Sequence, residues 1–135
     1  MPLVSRKGIL AIAAVIDVAI NARARPVSAK ALAGRHKLPP RHLEPVMQAL
    51  VRVGILRGVR GPHGGYALAR DSRRINADDI LRAAGSAEDS GDPPLPNSPL
   101  VNDVVRPALA EAQRVFSAAL SRISLEDMVK RVEAK

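Results

Sequence analysis

The residues of this chain best equipped for chemistry are its arginines and histidines, and their spacing suits holding a polyanion better than catalysis. Arg57, Arg60 and His63 stand close together around Gly61-Pro62-His63-Gly64-Gly65. Upstream, Arg41, Glu44, Gln48 and Arg52 recur in three- and four-residue steps, with His42 beside Arg41. Such steps put side chains one turn apart on a helix. Taken alone, that stripe is equally the polar face of an ordinary amphipathic helix, and Glu44 opposes close approach to phosphate. Catalytic constellations are weaker. Asp78/Asp79 suits a helix N-terminus, where carboxylates meet the positive end of the dipole. Asp89/Asp92 falls in a stretch rich in Pro, Gly and Ser. Gly61–Gly65 lacks the Lys-Ser/Thr and the following helix of a phosphate loop, and no Ser-His-Asp arrangement is visible. His36, His42 and His63 lack metal-ligand spacing and sit on the face expected to meet the polyanion. The chain contains no cysteine, so thiolate zinc sites, disulfides and Cys nucleophiles are excluded. Neither an enzyme nor a metal or cofactor site is expected.

These side chains need elements to position them. Arg6–Asn21 carries Ile9, Ile12, Ala13, Ile16 and Ile20 at helical spacing, which predicts a helix ended by Arg23–Pro26. Ser28 caps a short helix over Ala29–His36, with Leu32 and Ala33 inward. Pro39-Pro40 opens a third helix running to about Val53, its buried stripe being Leu43, Val46, Met47 and Leu50. Pro45 inside it removes one backbone hydrogen bond and predicts a distorted first turn. After Gly54 the period turns extended: Ile55–Arg60 and Tyr66–Arg70 read as strands joined by the glycine-rich loop. Asn76 caps a further helix ending at Gly85. Ser86–Pro99 reads as a mobile connector. Leu100–Ile123 is helical again, kinked at Pro107, and Ser124 with Asp127 starts a last helix in a capping box.

The fold expected is therefore mainly α with a small two-stranded β wing: a winged helix-turn-helix over residues 1–84, a connector over 85–99, and long dimerisation helices over 100–135. In this arrangement the third helix fits a DNA major groove about 12 Å wide. Arg41 can fork to guanine, Glu44 can accept from the cytosine amino group, and His42 can donate to an acceptor. Arg60, on a hairpin tipped with Gly and Pro, can enter a narrow minor groove of enhanced negative potential; a plain tight hairpin with surface arginines is the blander alternative.

Charge points the same way. The net charge is +8, but residues 1–74 hold 14 Lys/Arg against 3 Asp/Glu, whereas residues 75–135 hold 7 against 10. A basic half beside a mildly acidic one suggests a polyanion-binding module and a separate interaction module. With one Tyr and one Phe and a 47% hydrophobic content, the core must be built from Ala, Val, Leu and Ile. The run from Gly8 to Ile20 is broken by Asp17 and too short to span a bilayer, so the expectation is a cytoplasmic protein without a membrane partner.

Arg60-Gly61 followed by Gly64-Gly65-Tyr66-x-Leu68-Ala69, after Leu43-Glu44 and Gly54-Ile55-Leu56, resembles the Rrf-type family of bacterial winged-helix regulators. Ser5-x-Lys7-Gly8, Pro26-Val27-Ser28-Ala29, Ile75–Leu81 and Ile123-Ser124-Leu125 extend the resemblance over nearly the whole chain. It implies that Arg41, His42 and Glu44 read the major groove, that Arg60 reaches the minor groove, and that a long C-terminal helix dimerises. The family's best-known members ligate an iron–sulphur cluster through cysteines in the stretch corresponding to 86–102. This chain has none there, so it resembles the cluster-less branch.

The expected function is a sequence-specific, double-stranded-DNA-binding transcription repressor acting as a homodimer, with room for a small-molecule or protein effector. The expected DNA contacts are Ser28, Arg41, His42, Glu44, Gln48, Arg52, Arg57, Arg60 and His63. The expected dimer contacts are Val101, Val105, Ala108, Ala112, Val115, Phe116 and Ala119. A winged-helix protein–protein adaptor that binds no DNA is the alternative.

Overall fold

The computed structural model describes residues 4–37, 40–85 and 97–134. Leu38-Pro39 and most of the expected connector, 86–96, lie outside the described residues. The first helix, α1 (Arg6–Asn21), starts where the Ser5 hydroxyl accepts from the Gly8 amide at 3.1 Å. The second, α2 (Ala29–His36), starts likewise where Ser28 accepts from Ala31 at 3.0 Å. Helix α3 (Pro40–Arg52) follows. It runs unbroken through Pro45 where a distorted first turn was expected; the exposed proline simply leaves the Arg41 carbonyl without its amide partner. The stripe Leu43, Val46, Met47 and Leu50 is fully buried, as its period required.

The fully buried face of α1 is its small-residue one. Gly8, Ala11, Ala14, Val15 and Val18 point inward, Ile12, Ile16 and Ile20 pack half-buried against the same core, and Ile9 (57%) and Ala13 are exposed. The reason is close helix approach. Packing against the helix α4 (Ala77–Gly85) selects the small residues of α1. A methyl group on Gly8 would sit 2.5 Å from Leu81 Cδ2.

Strands β1 (Leu56–Val59) and β2 (Gly65–Leu68) pair antiparallel in the register Leu56↔Leu68 to Val59↔Gly65. The wing is thus a residue or two shorter at most strand ends than the pattern predicted. A third segment joins it: Val27 N–H donates to Tyr66 O at 2.9 Å, and Tyr66 N–H donates to Val27 O at 2.7 Å. This ties the wing to the start of α2. Gly65 permits it, because a Cβ there would lie 2.4 Å from Val27 O.

Past the undescribed stretch, Leu100–Val105 forms a π-helical turn, with the Arg106 amide bonding to Val101 O. Helix α5 (Arg106–Ser121) continues from it. Pro107 therefore stands at the start of a regular helix, behind a change of helical register, and not inside a kinked α-helix. The last helix, α6 (Leu125–Glu133), is capped by the Ser124 hydroxyl, which accepts from Asp127 N–H at 3.1 Å. It was grouped with α5 in sequence, yet Leu125 and Val129 join the same core as Leu32, Leu43, Met47, Ile55 and Ile80. Backbone bonds fasten this return: Ala77 N–H to Ile123 O at 2.9 Å and Leu125 N–H to Ile75 O at 2.8 Å. Each fully buried Leu or Ile in that core contributes about 1.5–3 kcal/mol relative to exposure.

Candidate nucleic-acid interface

Burial of Leu43, Val46, Met47 and Leu50 turns the opposite face of α3 outward. Arg41, Glu44, Gln48 and Arg52 line one open groove on that face, and His42 is exposed beside it. The expected stripe is thus assembled as one surface. On the wing, Arg57, Arg60 and His63 are exposed. Among the described residues, Arg41, Arg52, Arg57 and Arg60 take part in no ion pair, whereas Arg35, Arg73 and Arg82 each pair with an aspartate. Glu44 lies close enough to the base of the wing to act on Tyr66. The phenol is pushed up chiefly by burial and further by the Glu44 charge.

Ser28 and His63 meet in a second open groove, between the start of α2 and the wing tip. Arg25 and Arg35 line the same groove. Neither arginine was singled out in the sequence, because only the Val27–Tyr66 pairing brings the wing tip to them. Since the Ser28 oxygen accepts the capping bond, its O–H remains free to donate. The glycines here are steric requirements: a Cβ on Gly64 would fall 2.2 Å from Val59 O.

His36, placed on the DNA-facing side by sequence, instead turns to α1. Its Nε2 lies 2.6 Å from Asp17 Oδ2. Arg35 donates to the same carboxylate through Nε at 3.0 Å and Nη2 at 2.7 Å. Burial pushes the Asp17 carboxyl up, but the hydrogen bonds from Arg35 and His36, the Arg35 charge and Asn21 outweigh it and hold the group below the usual range. The sequence offered one signal for this role: Asp17 is the only acidic residue before Glu44.

The expected dimer residues lie along the π-helical turn and α5. Val105 is 42% and Val115 59% exposed, Ala108, Ala112 and Ala119 are exposed, and Val101 is half-buried. Phe116 is half-buried within its own chain, in a groove with Val4, Leu81 and Leu120. Among the described residues, no cluster of three His, Cys, Asp or Glu could hold a metal ion, and no helix is long and apolar enough to cross a membrane.

Comparison with known proteins matches residues 4–131 to the Rrf2 family profile, described as an iron-dependent transcriptional regulator. A Neisseria meningitidis protein named as an HTH-type transcriptional regulator is 38% identical over 78 residues, 58% of this chain and 53% of that protein. The HTH-type transcriptional regulator IscR of Escherichia coli is 33% identical over 84 residues, 62% of this chain and 52% of that one. The matches thus span about half the length of these relatives. Among solved structures, T. potens IscR superposes with a TM-score of 0.75 at 32% identity, covering 99% of this chain and 91% of that one. CymR, the global cysteine regulator of B. subtilis, superposes with a TM-score of 0.73 at 25% identity, covering 97% and 98%.

Proposed function

The chain belongs to the Rrf2 family of winged-helix, DNA-binding transcription regulators, and from that premise we propose that it is a homodimeric repressor that reads a specific DNA sequence without an iron–sulphur cluster. The observation that carries the DNA reading is the set of unpaired arginines, Arg41 and Arg52 on α3 with Arg57 and Arg60 on the wing. Arg41, His42 and Glu44, near the start of α3, are the candidates for base edges in the major groove, because helix-turn-helix proteins present the N-terminal residues of this helix to the bases. Gln48 and Arg52 lie further along the same face. Arg60 is the candidate for the minor groove. Arg57, Ser28 and His63 are candidates for the phosphate backbone, which positions the protein without reading sequence.

The dimer is supported by apolar area left uncovered in the single chain. Leu100, Val104, Val105, Leu109 and Val115 are all exposed, on a stretch from Leu100 to Ser121 about 33 Å long at 1.5 Å per residue. A second copy packing there about a two-fold axis would bury them and hold two α3 helices for two half-sites. Repression needs only occupancy of a promoter site, so these two surfaces suffice for it.

The family description names iron, and the donor set of this chain does not fit a cluster. Clusters are held by thiolates, and there is no cysteine among the 135 residues. The effector, where there is one, is a small ligand or a partner protein docking near residues 86–99 and the dimer helices; a constitutive repressor without an effector is the alternative. The deciding experiment is a salt titration of binding to a random duplex, followed by selection of preferred duplexes from a random pool. A steep log–log salt dependence and a recovered two-fold sequence support the reading. Absence of both leaves the protein–protein adaptor.

A further inference from the structure

Asp17 is the only buried charged side chain among the described residues. Its carboxylate is well occupied. Besides the paired bonds from Arg35 and the contact with His36, Asn21 Nδ2 donates to Oδ1 at 3.2 Å. Arg35 and His36 are the last two residues of α2, and Lys37 follows in the left-handed region at φ 55°. Helix α2 has eight residues and buries only Leu32 and Ala33, so its own apolar contact is small and a helix of this length does not hold itself in water. Beyond the packing of Leu32 and Ala33 in the core and of α2 against α3, the polar grip on the end from which the chain departs toward α3 comes from α1, through one carboxylate.

Resting on the reading that α3 faces DNA bases, we propose that Asp17 is a positioning residue for sequence discrimination, fixing the end of α2, and hence the seating of α3, through Arg35 and His36. Asp17 itself touches no DNA. The clamp matters unequally for the two components of binding. Phosphate attraction tolerates a reoriented helix, because charge acts over distance. Base readout does not tolerate it, because forked contacts need fixed geometry. Removing the carboxylate also releases Arg35, a guanidinium already lining the groove beside the wing. Loss of the clamp therefore weakens binding to a preferred duplex while leaving binding to a scrambled duplex unchanged or stronger.

The test uses the full chain, a duplex selected from a random pool and a scrambled duplex of the same length, at fixed salt and below the melting temperature of each variant. Asp17→Asn is expected to lose roughly tenfold or more of the ratio of the two affinities, the scale of one forked base contact, with scrambled-duplex affinity equal to wild type or higher. A parallel fall on both duplexes overturns the proposal. His36→Gln keeps an N–H donor for Asp17 and is expected to discriminate as wild type does; His36→Ala is expected to lose discrimination. Equal behaviour of these two variants overturns the proposal even where Asp17→Asn fails to fold. If wild type itself prefers no duplex, it is the DNA reading that fails. Amide hydrogen exchange then decides the clamp: faster exchange across Ala29–Arg52 in His36→Ala but not in His36→Gln sustains it, and equal exchange removes it.

Discussion

The surface made by α3 and the wing and the surface made by α5 are both unfinished in the single chain, but in different ways. On the first, exposed arginines stand without ion pairs among the described residues. On the second, Val104, Leu109 and Val115 are each more than half exposed. Exposed charge costs little in water and attracts over a distance that salt shortens. Exposed apolar area costs about 25 cal/mol per Å² until something covers it, and salt does not relieve that cost. One surface is thus suited to a hydrated, negatively charged partner, and the other to a dry contact with its like. Raising salt should release DNA and leave the dimer intact.

The largest break in this comparison is an aspartate on α5. Val115→Asp puts a charge where the dimer contact would bury it, and an unpaired buried charge is costly enough to separate the subunits. Sedimentation equilibrium should then report a monomer at tens of micromolar, a range in which a dimer with micromolar Kd would persist. Tight binding to the selected duplex should fall with it by roughly 100-fold or more, since one half-site replaces two. The melting temperature should fall only by what dimerisation contributes and should lose its dependence on protein concentration. Phe116→Asp is a less clean probe, since Phe116 packs within its own chain and its loss should lower the melting temperature as well. A Val115→Asp variant that stays dimeric would place the second copy elsewhere.

The next break acts on the wing alone. Gly65→Ala brings a methyl against the Val27 carbonyl, and relieving that clash should cost about 1–3 kcal/mol of stability, the scale of stored backbone strain. Chemical denaturation reads the loss. DNA affinity should fall while sedimentation still reports a dimer, which separates the two surfaces in the opposite direction from Val115→Asp. Arg60→Ala sharpens the comparison further. It should cost about 1–3 kcal/mol on the selected duplex if the side chain enters a narrow minor groove, measured by titration at fixed salt, and much less on a duplex whose minor groove is wide.

The two surfaces were not equally legible in sequence. Helices α1 and α2 span the residues where the pattern placed them; Ser28, at the start of α2, is a local capping signal, and local signals are complete in the sequence. The outward stripe of α3 followed from the period of its buried leucine-rich face. What required distant contacts was hidden. The small-residue face of α1 is selected by α4, far along the chain, so Ile12, Ile16 and Ile20 flank the buried face and Ile9 falls outside it. The Val27–Tyr66 pairing, which brings Arg25 and Arg35 to the wing tip, joins segments that no local pattern connects. The same holds for Asp17, which reads as an interruption in an apolar run until Arg35 and His36 fold back onto it. Leu125 and Val129 carry a plain amphipathic period, and nothing local says which core they enter.

The smallest expected effect tests what kind of contact a wing arginine makes. Arg57 sits on β1, opposite Ala67 in the ladder, away from the glycine-rich tip that lets Arg60 come close to a groove. It is exposed and has no acidic partner among the described residues, so its charge is available to a phosphate. A phosphate contact carries no sequence information. Arg57→Ala should therefore weaken selected and scrambled duplexes by the same modest factor. The slope of log affinity against log salt should flatten by about one unit, the number of counterions one lost phosphate contact no longer releases. Titrations at four or five salt concentrations on both duplexes measure slope and ratio together. An unchanged slope with a lowered ratio would make Arg57 a reader of bases or groove shape. Equal, sequence-blind losses for Arg57→Ala and Arg60→Ala would remove the minor-groove role of Arg60 and leave the wing as a uniformly electrostatic surface.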